Sequence, residues 1–312
     1  GKVTTPEYVV DKATKLETIN NRIHEIRTRF EVLYRDATIA YYQDLCQNPE
    51  NEALHQAKLD AKHAKLKEDF EFVAGCNIGS EFMGEEKKVR LRKIAERTWI
   101  EYFDATLGLS EAEIARISDT KESPSKERHV LEDRPSHLIK RKRAINLEKY
   151  QQYGFKVDIP EYAYNYGELY NLSISKGTLS AEERFKINEH IIMTIKMLEA
   201  LPFTENMKRI PEYAGTHHET MNGQGYPRGL MRDEISIPGR IMAIADIFEA
   251  LTASDRPYKK AKKLSEAIKI MRFMKEDGHI DPDIFDIFIQ SGIYKIYAQK
   301  FLLPEHIDAI DG

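Results

Sequence analysis

Apolar residues recur at intervals of three and four along nearly all of this chain, the spacing of helices rather than strands. Leu16, Ile19, Ile23, Ile26, Phe30, Leu33, Ala37 and Ala40 alternate those two intervals, which predicts the narrow seam of a coiled coil. Asn48-Pro49 ends that helix. A second is expected from about Glu52 to Val73, with Leu54, Ala57, Ala61 and Ala64 at the same spacing and charges on its other faces. Residues 16–73 are therefore expected to form an antiparallel hairpin arm that projects from the remainder and mediates self-association.

Cys76-Asn77-Ile78-Gly79-Ser80 breaks the periodicity. Beyond it the pattern predicts a helix containing Trp99 from roughly Glu85 to Leu107, and Ser110-Glu111-Ala112-Glu113 is a capping box for a short further helix. Residues 118–146 are polar and read as a long connection, with Lys140-Arg141-Lys142-Arg143 as a solvated run. A second capping box, Ser180-Ala181-Glu182-Glu183, starts a helix with Ile187, Ile191, Ile195 and Leu198 on one face and His190 at its edge. Asp281-Pro282-Asp283, after Gly278, reads as another helix start with Pro282 in the first turn. The expected class is all-α.

At 312 residues the chain can bury a sizeable core and could hold two domains. Lys and Arg number 47 against 51 Asp and Glu, a net charge of −4, so nothing suggests general nucleic-acid affinity. Against that background Arg256, Lys259, Lys260, Lys262 and Lys263 form a basic cluster suited to a small phosphate ligand, although the last three lysines also fit a solvated helix start. Cys46 and Cys76 are the only cysteines, which suits a reducing cytoplasm and offers neither a disulfide framework nor a cysteine zinc site. No apolar run approaches the roughly 20 residues of a membrane helix.

Candidate chemistry concentrates at His217-His218-Glu219, followed closely by Gly225-Tyr226-Pro227 and then by Asp246 within the apolar stretch Ile241–Phe248. Adjacent imidazoles can serve two neighbouring metal ions, and a carboxylate in an apolar helix is costly to bury unless a cation or hydrogen bonds compensate it. Mixed imidazole and carboxylate donors suit iron, manganese or zinc better than magnesium or calcium. Gly223 and Gly225 permit a tight backbone path that returns Tyr226 toward such a site.

The segment His217-His218-Glu219-Thr220-Met221-Asn222-Gly223-Gln224-Gly225-Tyr226-Pro227 resembles the second signature of the HD-GYP phosphodiesterase domain. Ala245–Thr252, then Asp255-Arg256-Pro257-Tyr258-Lys259-Lys260-Ala261, resembles the stretch that follows it in that family. Asn222 stands where the family commonly has Asp, and one more residue than usual separates Thr252 from Asp255. The opening Gly1-Lys2-Val3-Thr4-Thr5-Pro6-Glu7-Tyr8 resembles the tail of the family's His-Asp motif, which places that pair upstream of residue 1; Lys156–Tyr162 echoes it without the glycine.

The resemblance covers residues 1–19 and about 157–292, so 20–156 reads as a helical insertion within an HD-type helical bundle whose core resumes over 157–312. It implies a metal-dependent hydrolase that opens cyclic di-GMP to pGpG or GMP with two or three divalent transition-metal ions, iron or manganese. His190, His217, His218 and Asp246 are the implied ligands. Lys2 would stabilise phosphoryl charge, Arg256 and Lys259 would bind substrate phosphate, and Tyr226 would contact substrate near the metals. A sensory domain upstream is the partner the resemblance implies, and the arm is the source of the expected homodimer. The alternatives are a hydrolase of another cyclic dinucleotide, a non-catalytic cyclic-dinucleotide receptor, or an interaction scaffold built on the arm.

Overall fold

The computed structural model describes residues 22–78, 80–111, 114–115, 117, 127–253 and 262–309. Helices dominate, as the periodicity predicts. In chain order they begin with α1 (Arg22–Gln47) and α2 (Glu52–Ile78), followed by the short strand β1 (Ser80–Phe82) and α3 (Glu85–Ala95). Next come β2 (Thr98–Ile100), β3 (Glu127–His129), β4 (Leu138–Ile139), α4 (Leu147–Gln152), β5 (Tyr164–Asn165), α5 (Glu168–Leu172) and β6 (Lys176–Gly177). The chain continues through α6 (Ala181–Glu199), α7 (Ile210–Thr216), α8 (Ile237–Thr252), α9 (Leu264–Glu276), α10 (Pro282–Gln290) and α11 (Ile293–Phe301). Among the described residues the strands pair only as antiparallel two-stranded ladders, β1 with β6, β2 with β3 and β4 with β5.

The chain divides into two compact units. Of the described residues, one holds Ala144–Ile159 and those from Phe185 onward; the other holds those up to Arg143 together with Pro160–Arg184. In the second unit α1 and α2 form the expected antiparallel hairpin, and Ile26, Phe30, Leu66 and Val73 join Leu91, Ile94, Val130, Leu131 and Leu172 in one core. The α2 face differs from the expectation. Leu54, Ala57, Ala61 and Ala64 are exposed, whereas Leu66, Asp69 and Val73 are buried and Leu59, His63 and Phe70 half-buried. Burial stabilises in proportion to apolar area, so Leu66 and Phe70 decide which face turns inward and small alanines do not.

The expected helix through Trp99 is also corrected: α3 ends at Ala95, and Trp99 lies in β2 opposite Arg128. Thr98-Trp99-Ile100 is β-branched and aromatic, the composition that favours a pleated strand once a partner is present. That partner comes from the polar stretch read as a connection, which also buries Val130 and Leu131. Nor is 140–143 merely solvated, since Arg141 donates to the carbonyls of Pro160 and Tyr162 at 2.9 and 3.0 Å. The capping box at 110–113 lies partly outside the described residues. Arg29 of α1 and Glu168 of α5, both buried, pair at 2.8 Å, and the same carboxylate accepts the Glu132 N–H. A buried ion pair tolerates desolvation only with such added hydrogen bonds.

The first unit has two apolar clusters. Tyr150, Phe155, Phe185, Ile191, Ile192 and Ile195 form one, which brings α4 and the residues after it against α6. Ile187, expected on the buried face, is exposed, and Ile192 is buried in its place. The sequence 187–195 offers two overlapping stripes, and Phe185, with the larger apolar area, selects the one containing Ile192. The predicted capping box is present: Glu183 N–H donates to Ser180 Oγ and Ser180 N–H to the Glu183 carboxylate. The other cluster packs α8, α9, α10 and α11 around Ile244, Phe248, Ile268, Met271 and Phe285. Among the described residues no helix is long and apolar enough to cross a membrane.

Candidate metal centre

Helix α7 is short and pinned on both sides by small residues. A Cβ on Gly215 would sit 2.7 Å from Ile195 Cγ1 of α6, and one on Gly239 of α8 would sit 2.3 Å from Thr216 Oγ1. Only glycine permits these approaches, and they bring the end of α7, where His217 is the C-cap, beside α6 and α8.

The three histidines converge there. Ligand-capable atoms of His190, His217 and His218 all lie within 4.8 Å of one another. His190 Nδ1 bonds the carbonyl of Ile187, and His217 Nδ1 donates to the carbonyl of Ala214 at 2.8 Å. A carbonyl can only accept, so each bond places the proton on Nδ1 and leaves the Nε2 lone pair for a metal. Two imidazole nitrogens bound to one ion at about 2.0–2.1 Å in tetrahedral geometry stand about 3.3–3.4 Å apart. His190 Nε2 and His218 Nε2 stand 3.2 Å apart, and the donor set therefore fits a divalent transition metal.

Burial, with His217 and His190 adding to it and Asp246 opposing them, brings the His218 pKa down to about 4. At neutral pH that ring is uncharged, as a ligand must be. Tyr226 stacks on His218 with centroids 4.9 Å apart and planes 20° from parallel. Burial, with Asp246 adding to it, raises the Tyr226 phenol to about 12.

Asp246 corrects one premise of the sequence reading. It lies on the exposed side of α8, while Ala243, Ile244 and Phe248 carry the buried side. The helix is amphipathic at that point, so no desolvation penalty needs compensation. Asp246 stands outside the three-histidine cluster, yet its charge reaches both His218 and Tyr226. Lys2, Arg256 and Lys259 lie outside the described residues.

The residues around the loop after the histidines make contacts that the sequence pattern does not announce. Glu219 is 2% exposed, and its carboxylate accepts the N–H groups of Arg228 at 2.7 Å and Leu230 at 2.9 Å. Gly223 has φ +73°, and a Cβ on Gly225 would fall 2.4 Å from Glu219 Cα, so both glycines serve the tight path expected of them. Asn222 Oδ1 accepts from the Thr220 hydroxyl and the Gln224 N–H, while Nδ2 donates to the carbonyl of Asp277. A carboxylate could accept the first two bonds but could not donate the third. Asp281 caps α10 as the sequence indicates, and it is also a buried anion paired with Arg232 at 3.0 Å and Arg240 at 2.8 Å. The signal for Glu219 was available: an acid beside a glycine-rich loop has free backbone N–H groups within reach.

Comparison with known proteins agrees with this geometry. Over 80 residues the chain is 46% identical to 3'3'-cGAMP-specific phosphodiesterase 1 of Vibrio cholerae serotype O1, covering 26% of this chain and 18% of that one. Over 83 residues it is 45% identical to cyclic di-GMP phosphodiesterase PA4108 of Pseudomonas aeruginosa, covering 26% and 19%. A cyclic di-GMP phosphodiesterase of Thermotoga maritima is 34% identical over 117 residues, 38% of this chain and 31% of that one. The chain thus matches between about a fifth and a third of the length of these relatives. Residues 126–284, half of the chain, match the HD domain family, and with a His-His-Glu and Gly-Tyr-Pro signature of the HD-GYP type the chain belongs to that family.

Proposed function

We propose that this chain carries the metal-binding part of a phosphodiesterase that hydrolyses cyclic di-GMP to linear pGpG and onward to GMP. The observation that carries the reading is the convergence of His190, His217 and His218 within 4.8 Å under the ring of Tyr226. The relatives named above, phosphodiesterases of cyclic dinucleotides, support it.

His190, His217 and His218 hold the metal, with Asp246, whose charge reaches His218, as the carboxylate donor. Iron or manganese suits imidazole and carboxylate together. When bound, the metal supplies Lewis acidity toward a phosphoryl oxygen. The other roles belong to this chain's side chains. Tyr226, protonated at neutral pH, offers its hydroxyl as a hydrogen-bond donor to the substrate, and its ring limits the water around His218. Lys2, Arg256 and Lys259 supply charge to the phosphates. A second proposal concerns the α1–α2 hairpin, whose exposed Ile39, Tyr42 and Leu54 support self-association. Sedimentation of an Ile39→Glu, Tyr42→Glu variant as a species of unchanged mass would refute it.

Relatives named for 3'3'-cGAMP, at 46% and 42% identity, favour that dinucleotide as the alternative substrate. The purified full-length protein, loaded with iron or manganese, should be incubated with each cyclic dinucleotide and the products separated by chromatography. The reading expects linear pGpG from cyclic di-GMP, abolished by a chelator. Faster loss of 3'3'-cGAMP would reassign the substrate, and binding without turnover would replace the enzyme by a receptor.

A further inference from the structure

We infer that Glu219 is a positioning residue that holds the Tyr226 ring over His218. The N–H groups its carboxylate accepts, those of Arg228 at 2.7 Å and Leu230 at 2.9 Å together with that of Gly229, lie just beyond Tyr226-Pro227. On the near side, Gly225 packs so closely on the backbone of Glu219 and Thr220 that a Cβ there would approach both within 2.4 Å. Between these ties the Tyr226 N–H donates to the carbonyl of His218 at 3.2 Å. Residues 225–230 therefore close around Glu219 like a collar, and the chain on either side of Tyr226 is anchored to the residue directly after His218.

The chemistry explains why a carboxylate occupies this place. Consecutive backbone N–H groups in a tight loop form a concave anion site, and here the anion is an internal side chain. N–H groups left without an acceptor are costly, so the loop does not keep its course once the carboxylate is gone. A glutamine has the same length but turns an NH₂ group toward these donors on one side, and that tie is lost. An aspartate keeps the charge and is one methylene short of reaching them. A residue that merely stabilised the loop would lower the melting temperature and leave the ring stack unchanged; a positioning residue alters the stack itself.

The geometric claim stands apart from the proposed phosphodiesterase reading, and only its catalytic consequence rests on that reading. The test is NMR of the full chain with labelled histidine. The His218 ring proton carries a ring-current shift from Tyr226, identified by its disappearance in Tyr226→Leu. In Glu219→Gln that resonance should move most of the way to its Tyr226→Leu position. An unmoved resonance in a folded Glu219→Gln variant overturns the inference. Should that variant fail to fold, Glu219→Asp is subject to the same criterion. With metal-loaded protein and cyclic di-GMP, the effects of Glu219→Gln and Tyr226→Leu on KM should be no larger together than the larger one alone, because both remove the same contact. Independent, additive effects on KM count against the inference. Inactive full-length wild-type protein would sink the phosphodiesterase reading while the resonance still decided the role of Glu219.

Discussion

His190 Nε2 and His218 Nε2 lie 3.2 Å apart although 28 residues separate them in sequence. Each comes from a different local cause. His190 is set by the helix that Ser180 and Glu183 cap and Phe185 orients, and His218 by a short helix that Gly215 and Gly239 admit between its neighbours. The close approach of these two imidazole nitrogens is the feature that a metal ion would use.

Asp246 is exposed but close enough for its charge to reach His218 and Tyr226. Replacing it by Asn removes that charge while keeping the shape. Whether it binds the metal directly or through water, Asp246→Asn should weaken metal affinity by about 10–100-fold. Competition with a chromogenic chelator measures this, and an unchanged affinity would remove Asp246 from the site.

The corrected face of α2 yields a contrast between two substitutions. Leu66 is 3% exposed in the core shared with Phe30 and Val73, so Leu66→Ala should lower stability by about 2–5 kcal/mol. Ala61, on the face the periodicity had favoured, is exposed, and Ala61→Lys should change stability by no more than about 0.5 kcal/mol. Urea unfolding of the two variants decides between the faces.

Much of the α1–α2 hairpin, the Ser180 cap and the histidine motif could be read from the chain because their signals are local. The α2 face could not, since its alanine spacing competes with Leu66 and Phe70 and only packing reveals which side buries more area. Trp99 was placed in a helix because its strand partner, Arg128, lies far along the chain and no local pattern announces the pairing. Asp246 was expected to be buried because its neighbours are apolar, yet Ile241 and Met242 on the same helix are themselves exposed. Glu219 as a loop anchor is legible only in part: an acid beside a glycine-rich loop is visible in the sequence, but which backbone N–H groups it meets is set by the course of the loop.

Asp281 links stability to pH. Burial raises its pKa, but hydrogen bonds from Arg232, Arg240 and the start of α10 outweigh burial and bring it down to about 2. The unfolded chain therefore binds this proton at higher pH than the folded one does. The stabilisation is complete above about pH 4, the ordinary aspartate range, and is lost as pH falls toward about 2. Acid unfolding followed by circular dichroism should show this loss in the wild type and a shallower pH dependence between about 4 and 2 in Asp281→Asn. Equal slopes would mean that Arg232 and Arg240 do not hold the carboxylate as described.

The central claim is that His190, His217 and His218 form a metal centre. Its most direct test is the metal content of the full chain, produced in medium supplemented with iron or manganese and quantified by mass spectrometry. A His217→Ala, His218→Ala variant of unchanged helical content serves as the comparison. The account predicts that the wild type retains divalent metal through exhaustive dialysis and that the variant loses it. Equal metal content in the two proteins would contradict it.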